Sequence, residues 1–205
     1  MKVERFLTPC ADPLREKKNL SGLKFYGYTQ TIKIEGKGCC AEPWSLLQVV
    51  PEGRIYIPMY NPTADVDYYE PAAPFETVGE KNVTLVATGK NRYKVGYKAA
   101  DVTGRIGYFC SWDSQSCLII RNFPNDPSGR YEEEPPLIPG EKGFSIHIYN
   151  DSGEISGFAE LECSMPAVGS EGQRSEAIDR IDTWIIKGNA EEIAAAAEIL
   201  VGGKT

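Results

Sequence analysis

The chain is predicted to be all-β: an antiparallel β-sandwich carrying one C-terminal helix. Three observations predict this. Apolar and polar residues alternate with period two in about ten short segments. Gly, Pro, Asn and Asp cluster between those segments and punctuate them as turns. Helical patterning is confined to the C-terminal end.

The elements follow in order. LKFYGYTQTIKIE (23–35) reads as a long strand, rich in aromatic and β-branched residues. WSLLQVV (44–50) and RIYIP (54–58) are joined by the turn signal Pro51-Glu52-Gly53. NVTLVAT (82–88) and RYKVGYKA (92–99) flank Gly89-Lys90-Asn91 and read as a hairpin. RIGYFCSW (105–112) and CLIIRNF (117–123) form the next. GFSIHIYN (143–150) and GFAELECS (157–164) turn through Asp151-Ser152-Gly153, and IDTWIIK (181–187) closes the series. In NAEEIAAAAEIL (189–200), Asn189 and Glu192 form a capping box ahead of an alanine run, and Gly202 ends the helix. No repeat period is visible, so solenoids and propellers are excluded. One domain, 1–205, is expected. Two long loops, 59–81 and 124–142, interrupt it, and loops of that length in a compact domain tend to be functional or mobile.

The chain has 205 residues, a net charge of −7 and 41% hydrophobic residues. That is long enough for a sizeable core. The acidic balance argues against nucleic acid and anionic membranes as partners. No apolar run is long enough to span a bilayer, and no secretory signal is visible, so the expected location is cytoplasmic. The six cysteines include no CxxC pair. Free, mostly buried thiols are expected, with Cys110 facing Cys117 across a hairpin. No metal and no cofactor is expected.

Most motifs are weak. GKGCCA (36–41) fits G-x-G-x-x-A but lacks the following helix that a dinucleotide site needs, so it reads as a glycine-rich turn. No G-x-S-x-G occurs. The acidic run Glu132-Glu133-Glu134 reads as a solvated loop. His147 is the single histidine. It sits with Ser145 and Tyr149 on the polar face of its strand and reads as exposed or merely hydrogen-bonded.

Charges in mid-strand carry more information. Glu160 and Glu162 share one face of FAELECS, about 7 Å apart. Lys94, Arg121 and His147 also interrupt apolar strands. If these strands share a sheet, the charges form either a polar cleft or a solvated surface, and periodicity alone leaves both open.

YNDSGEISGFAELECSMPAVG (149–169) resembles the C-terminal part of the galactose mutarotase-like (aldose 1-epimerase-like) superfamily. EPWSLLQV (42–49), GRIYIP (53–58), YKVGY (93–97), LIIRNFPNDPSGRY (118–131) and DTWIIKG (182–188) are similar in the same order. The resemblance implies a shortened β-supersandwich with a sugar cleft on one sheet face. It covers only the family's second half and lacks the part bearing the family's histidines. It therefore implies a carbohydrate-binding protein without the full epimerase machinery, and a homodimer in which a second copy replaces the missing half. Lys94, Arg121, Glu160 and Glu162 would bond sugar hydroxyls, and Trp44 or Tyr69 would stack on the sugar. The alternatives are an epimerase, with Glu160 or Glu162 as base and His147 or a tyrosine as acid, and a structural or assembly protein with no ligand.

Overall fold

A computed structural model describes the chain except residues 37, 39, 114, 155, 170–173 and 204–205. Lys37 and Cys39 of the glycine-rich stretch thus lie outside the described residues. The strands form two antiparallel sheets. The larger contains β1 (Lys2–Pro9), β2 (Lys24–Glu35), β4 (Gly53–Pro58), β6 (Glu76–Val78), β7 (Asn82–Ala87), β9 (Arg105–Trp112), β10 (Gln115–Asn122) and β13 (Glu176–Gly188). Their order is β1-β2-β13-β10-β9-β4-β7-β6. The smaller contains β3 (Trp44–Val49), β5 (Val66–Asp67), β8 (Tyr93–Lys98), β11 (Phe144–Asn150) and β12 (Ala159–Ser164), in the order β3-β12-β11-β8-β5.

The alternation read from sequence decides what lies between the sheets. Ile55, Ile57, Val83, Leu85, Ile106 and Tyr108 from the large sheet meet Tyr93, Val95, Tyr97, Ile146, Ile148 and Leu161 from the small one in one buried cluster. The chain thus closes its own sandwich. A second copy is expected to replace the family's missing half, whereas here the inner faces of the two sheets cover each other within one chain.

A second apolar layer lies on the outer face of the large sheet. Helix α1 (Ala190–Val201) packs Ile193, Ala197, Leu200 and Val201 against Leu118, Ile120, Trp184 and Ile186. Asn189 accepts from the Glu192 amide at 2.8 Å, and Gly202 ends the helix in the left-handed region at φ 64°. Both caps match the sequence reading.

Three expectations need correction. The segments 82–88 and 92–99 are not a hairpin. β7 pairs with β4 and β6 in the large sheet, whereas β8 pairs with β11 and β5 in the small one. Residues 88–91 instead cross between sheets. The physical cause is Asn150, whose carbonyl accepts from Gly89 N at 3.1 Å while its amide donates to Thr88 Oγ1 at 3.0 Å and to the Asn91 carbonyl. Gly89 has φ +62°, and a Cβ there would lie 2.6 Å from Pro51 Cβ, at the other sheet-switching corner. Second, β1 went unread because most of its side chains are exposed on both faces. It is an edge strand held by backbone pairing to β2. Third, the loop 59–81 contains the short strands β5 and β6.

The hairpin of β9 and β10 forms as read, with Cys110 directly opposite Cys117 and both thiols free. β11 and β12 also pair as expected. Among the described residues no helix is long and apolar enough to cross a membrane.

Candidate functional site

Cross-strand register places the mid-strand charges. On the outer face of the small sheet, Leu46, Glu162, His147 and Gly96 lie side by side in one row. The next row is Gln48, Glu160, Tyr149 and Lys94. Paired residues in an antiparallel sheet share a face, so the sheet itself gathers four of the sequence candidates. Trp44 begins the same edge strand, β3, two residues before Leu46.

The rows do not stay open to water. Gly96 leaves a gap into which Tyr68 folds from the end of β5; a Cβ on Gly96 would lie 2.7 Å from Tyr68 Cε2. The Tyr68 ring packs edge-on against Phe144 and His147, and its hydroxyl lies 2.9 Å from His147 Nε2. Above this, the segment 130–142 crosses the sheet as a strap. Lys94 Nζ bonds Glu133 at 2.7 Å, and Glu141 is paired with Lys98. Lys142 bonds Glu132 at 2.8 Å and Glu134 at 3.0 Å. The Glu132 amide donates to the Glu42 carboxylate.

The acidic run is therefore only partly the solvated loop expected. Glu132 and Glu134 do pair near the surface. Glu133 turns inward, because Lys94 on the sheet offers it an ammonium. Its second oxygen lies 3.6 Å from His147 Nδ1.

The result is a compact polar cluster. Lys94 Nζ lies 3.3 Å from Glu162 as well as bonding Glu133. Glu162 is 1% exposed and its carboxylate accepts the Trp44 indole N–H at 2.8 Å. Trp44 itself is 51% exposed. Glu160 accepts from Gln48 at 3.0 Å nearer the solvent.

Burial governs the electrostatics. It raises the Glu162 carboxyl above the usual carboxylate range, against the opposing pull of Lys94 and the indole N–H. Burial, aided by the nearby Lys94 ammonium, drives His147 well below the usual imidazole value, so the ring is neutral. Burial followed by the charges of Glu133, Glu42 and Glu162 raises the Tyr68 phenol. Burial lowers Lys94, but Glu162 and Glu133 outweigh it and the ammonium is held above its usual value. The cluster can hold a cation between its carboxylates. It can also present fixed donors and acceptors beside an exposed indole.

No family model, curated protein or solved structure matches the chain.

Of the residues expected to form a site, the structure brings together Trp44, Lys94, His147 and Glu162, with Glu160 at the margin. Of the two expectations for His147, exposed or hydrogen-bonded, the second holds: it is fully buried beneath Tyr68, whose hydroxyl bonds its ring. Arg121 lies elsewhere. It points inward from the large sheet and bonds the Ser45 and Leu161 carbonyls, each at 2.9 Å, and Ser45 Oγ at 2.8 Å. Its position at the end of Leu118-Ile119-Ile120 puts it on the inner face, with Cys117 and Ile119, so it ties the two sheets together. Tyr69 is also turned aside, its ring 4.2 Å from the Arg92 guanidinium. Its neighbour Tyr68 takes the inward place.

Sequence reasoning missed Tyr68, Glu133 and Glu42. Tyr68 had a signal: β5 continues the alternation, so one residue of Tyr68-Tyr69 had to face the sheet. Glu133 had none, because its partner Lys94 lies 39 residues away and its strap has no periodicity.

Surface hollows of about 710 Å³ and 570 Å³ lie on the large sheet, beside Thr29 and Asp182 and beside Tyr56 and Asn82. They gather no comparable set of buried ionisable groups, which is why the sheet face is the candidate.

Gly96 gives a direct check on this arrangement. Gly96→Ala is expected to force Tyr68 off the sheet, costing about 1–3 kcal/mol by overpacking. Denaturant unfolding should show that loss, and the His147 ring resonances should shift as the phenol leaves. A variant as stable as the native chain, with unshifted resonances, would show that Tyr68 is not locked on Gly96.

Proposed function

We propose that the chain is a carbohydrate-binding protein whose binding surface is the open β3–β12 side of the small sheet's outer face, with Trp44 as its stacking platform. One observation carries the reading. Trp44 is half-exposed, yet its indole N–H is fixed by a buried carboxylate that is itself held by Lys94. An exposed aromatic ring in a fixed orientation suits the apolar C–H face of a pyranose, and little ordering entropy is lost on contact. Gln48, further along β3 from Trp44, and Glu160, its cross-strand partner, add an amide and a carboxylate for hydroxyl groups.

The epimerase reading is less well supported. A general acid must reach the sugar ring oxygen. His147 is buried, neutral, and engaged at Nε2 by Tyr68. The resemblance to mutarotase-like proteins agrees with sugar binding and supplies the panel to test.

Titration of the protein with glucose, galactose and short oligosaccharides, followed by amide NMR, is expected to shift resonances on β3 and β12. Trp44→Ala should weaken binding about tenfold, as the loss of one aromatic contact implies, with the fold intact by circular dichroism. Anomer exchange should stay at the uncatalysed rate. Exchange that is accelerated, and lost in Glu162→Gln, would install the epimerase instead. No shift with any sugar would remove the binding reading.

A further inference from the structure

Glu133, His147 and Glu162 come from three separate parts of the chain, namely the strap, β11 and β12. Each offers a ligand atom within 4.8 Å of the others. His147 Nδ1 is fully buried and has no hydrogen-bond partner. It points toward Glu133 Oε2, 3.6 Å away. We propose that these three side chains form a binding site for a divalent first-row transition-metal ion such as Zn²⁺ or Co²⁺, beneath the Trp44 face. The site lies beneath the proposed sugar surface and shares Glu162 with it, since Glu162 also accepts the Trp44 indole N–H, but metal uptake there does not require that a sugar bind.

The geometry is close to what such an ion needs. Two ligands about 2.1 Å from a tetrahedral ion lie roughly 3.4 Å apart. The Nδ1 to Oε2 separation is already near that value. One imidazole with two carboxylates is a nitrogen and oxygen set that suits zinc, cobalt or manganese. The outer contacts fit as well. With Nδ1 on a metal, the ring proton resides on Nε2 and donates to the Tyr68 hydroxyl. That fixes ring orientation as second-layer partners of metal-bound histidines do. The Trp44 indole does the same for Glu162. The orphaned Nδ1 then gains the one partner this cluster denies it.

Lys94 is the competitor. Its ammonium lies between the two carboxylates, at 2.7 and 3.3 Å, and supplies the positive charge there. An incoming dication must displace it. The Lys94 side chain is 13% exposed, so it has a path outward. This predicts an unusual sign: removing a charged residue from the cluster should improve metal binding.

The experiment is titration of the full chain with Co²⁺, followed by the visible absorbance of the bound ion and by equilibrium dialysis. One equivalent is expected to bind the native protein. Lys94→Met should bind at least tenfold more tightly, and His147→Gln and Glu162→Gln should each lose tenfold or more. Circular dichroism of each variant separates lost ligation from lost folding. Should Lys94→Met fail to fold, the native titration and His147→Gln still decide. No saturable uptake by the native chain at millimolar Co²⁺ would overturn the proposal. Uptake that survives His147→Gln in a folded protein would overturn it too. The readout needs no sugar, so its failure and that of the carbohydrate reading are separable.

Discussion

Arg121→Ala is expected to lower the unfolding free energy by about 3 kcal/mol, seen as a drop in melting temperature of roughly 6–12 °C for a chain of this size. Two effects oppose each other at this position. Arg121 is 2% exposed, and no carboxylate is paired with it among the described residues. A buried guanidinium without an anion carries a desolvation cost, and its removal relieves that cost. Against this stand three hydrogen bonds, two to carbonyls of the small sheet and one to Ser45 Oγ. Bonds from a charged donor contribute about 1.5–3 kcal/mol each, and truncation strands their acceptors. Alanine also opens a cavity where the stem packed. The sum favours destabilisation.

Arg121→Met separates these terms. Methionine keeps most of the stem volume and relieves the charge, so a cost nearer about 1 kcal/mol is expected. Chemical denaturation of both variants is the measurement. An alanine variant within about 0.5 kcal/mol of the native chain would show that the guanidinium contributes nothing net to joining the sheets. The effect should extend to the site. Ser45 and Leu161 are the immediate neighbours of Trp44 and Glu162, so Trp44 fluorescence should shift in the alanine variant before global unfolding.

Arg121 also shows how far the sequence could be read. Alternation around Leu118-Ile119-Ile120 placed the arginine on a definite face. It did not say whether that face was the core or the solvent, because both outcomes share the same period. The large sheet is apolar on both faces, one against the small sheet and one against α1, so polarity could not mark the inside. On the small sheet the rule worked better. Glu160, Glu162, His147 and Lys94 do share one outer face, because period-two alternation and cross-strand pairing fix it. The helix with its Asn189 cap and Gly202 stop was legible because capping is local. The crossovers at 51–53 and 88–91 were not. A turn signal marks where a chain bends, and the choice between hairpin and sheet switch rests on Asn150, 61 residues from Gly89. Glu133 was illegible for the same reason. Nothing in an acidic loop says which glutamate will meet a lysine on a distant strand.

Asp65→Asn is expected to stabilise the protein at pH 8 and to change little at pH 4. Asp65 lies beside Glu76 at the edge of the sandwich. Glu76 Oε1 already accepts from the Tyr97 hydroxyl at 2.8 Å and from the Asp65 amide at 3.1 Å. Asp65 Oδ2 is buried without a hydrogen-bond partner, and its carboxyl lies against that of Glu76. Burial first, then the charges of Glu76 and Asp67, push the Asp65 carboxyl up to about 7. Its ordinary value is 3.8. The folded chain therefore keeps a proton that the unfolded chain has given up. Stability from this group is fully present below about pH 4 and falls as pH rises toward 7, then stays level. Full linkage would amount to roughly 4 kcal/mol, and partial exposure of the carboxyl reduces the expectation to about 1–2 kcal/mol. Asparagine removes the titration and supplies an N–H donor toward Glu76. Thermal melts of both proteins from pH 4 to 8 isolate the contribution, since Glu42, Glu162 and Asp179 are raised by burial in both. The variant's advantage should grow with pH and plateau above 7, reaching about 2–8 °C. A difference between the two proteins that does not vary with pH would mean that Asp65 is ionised throughout, with Glu76 kept at a distance by a relaxation of the loop that joins β5 to β6.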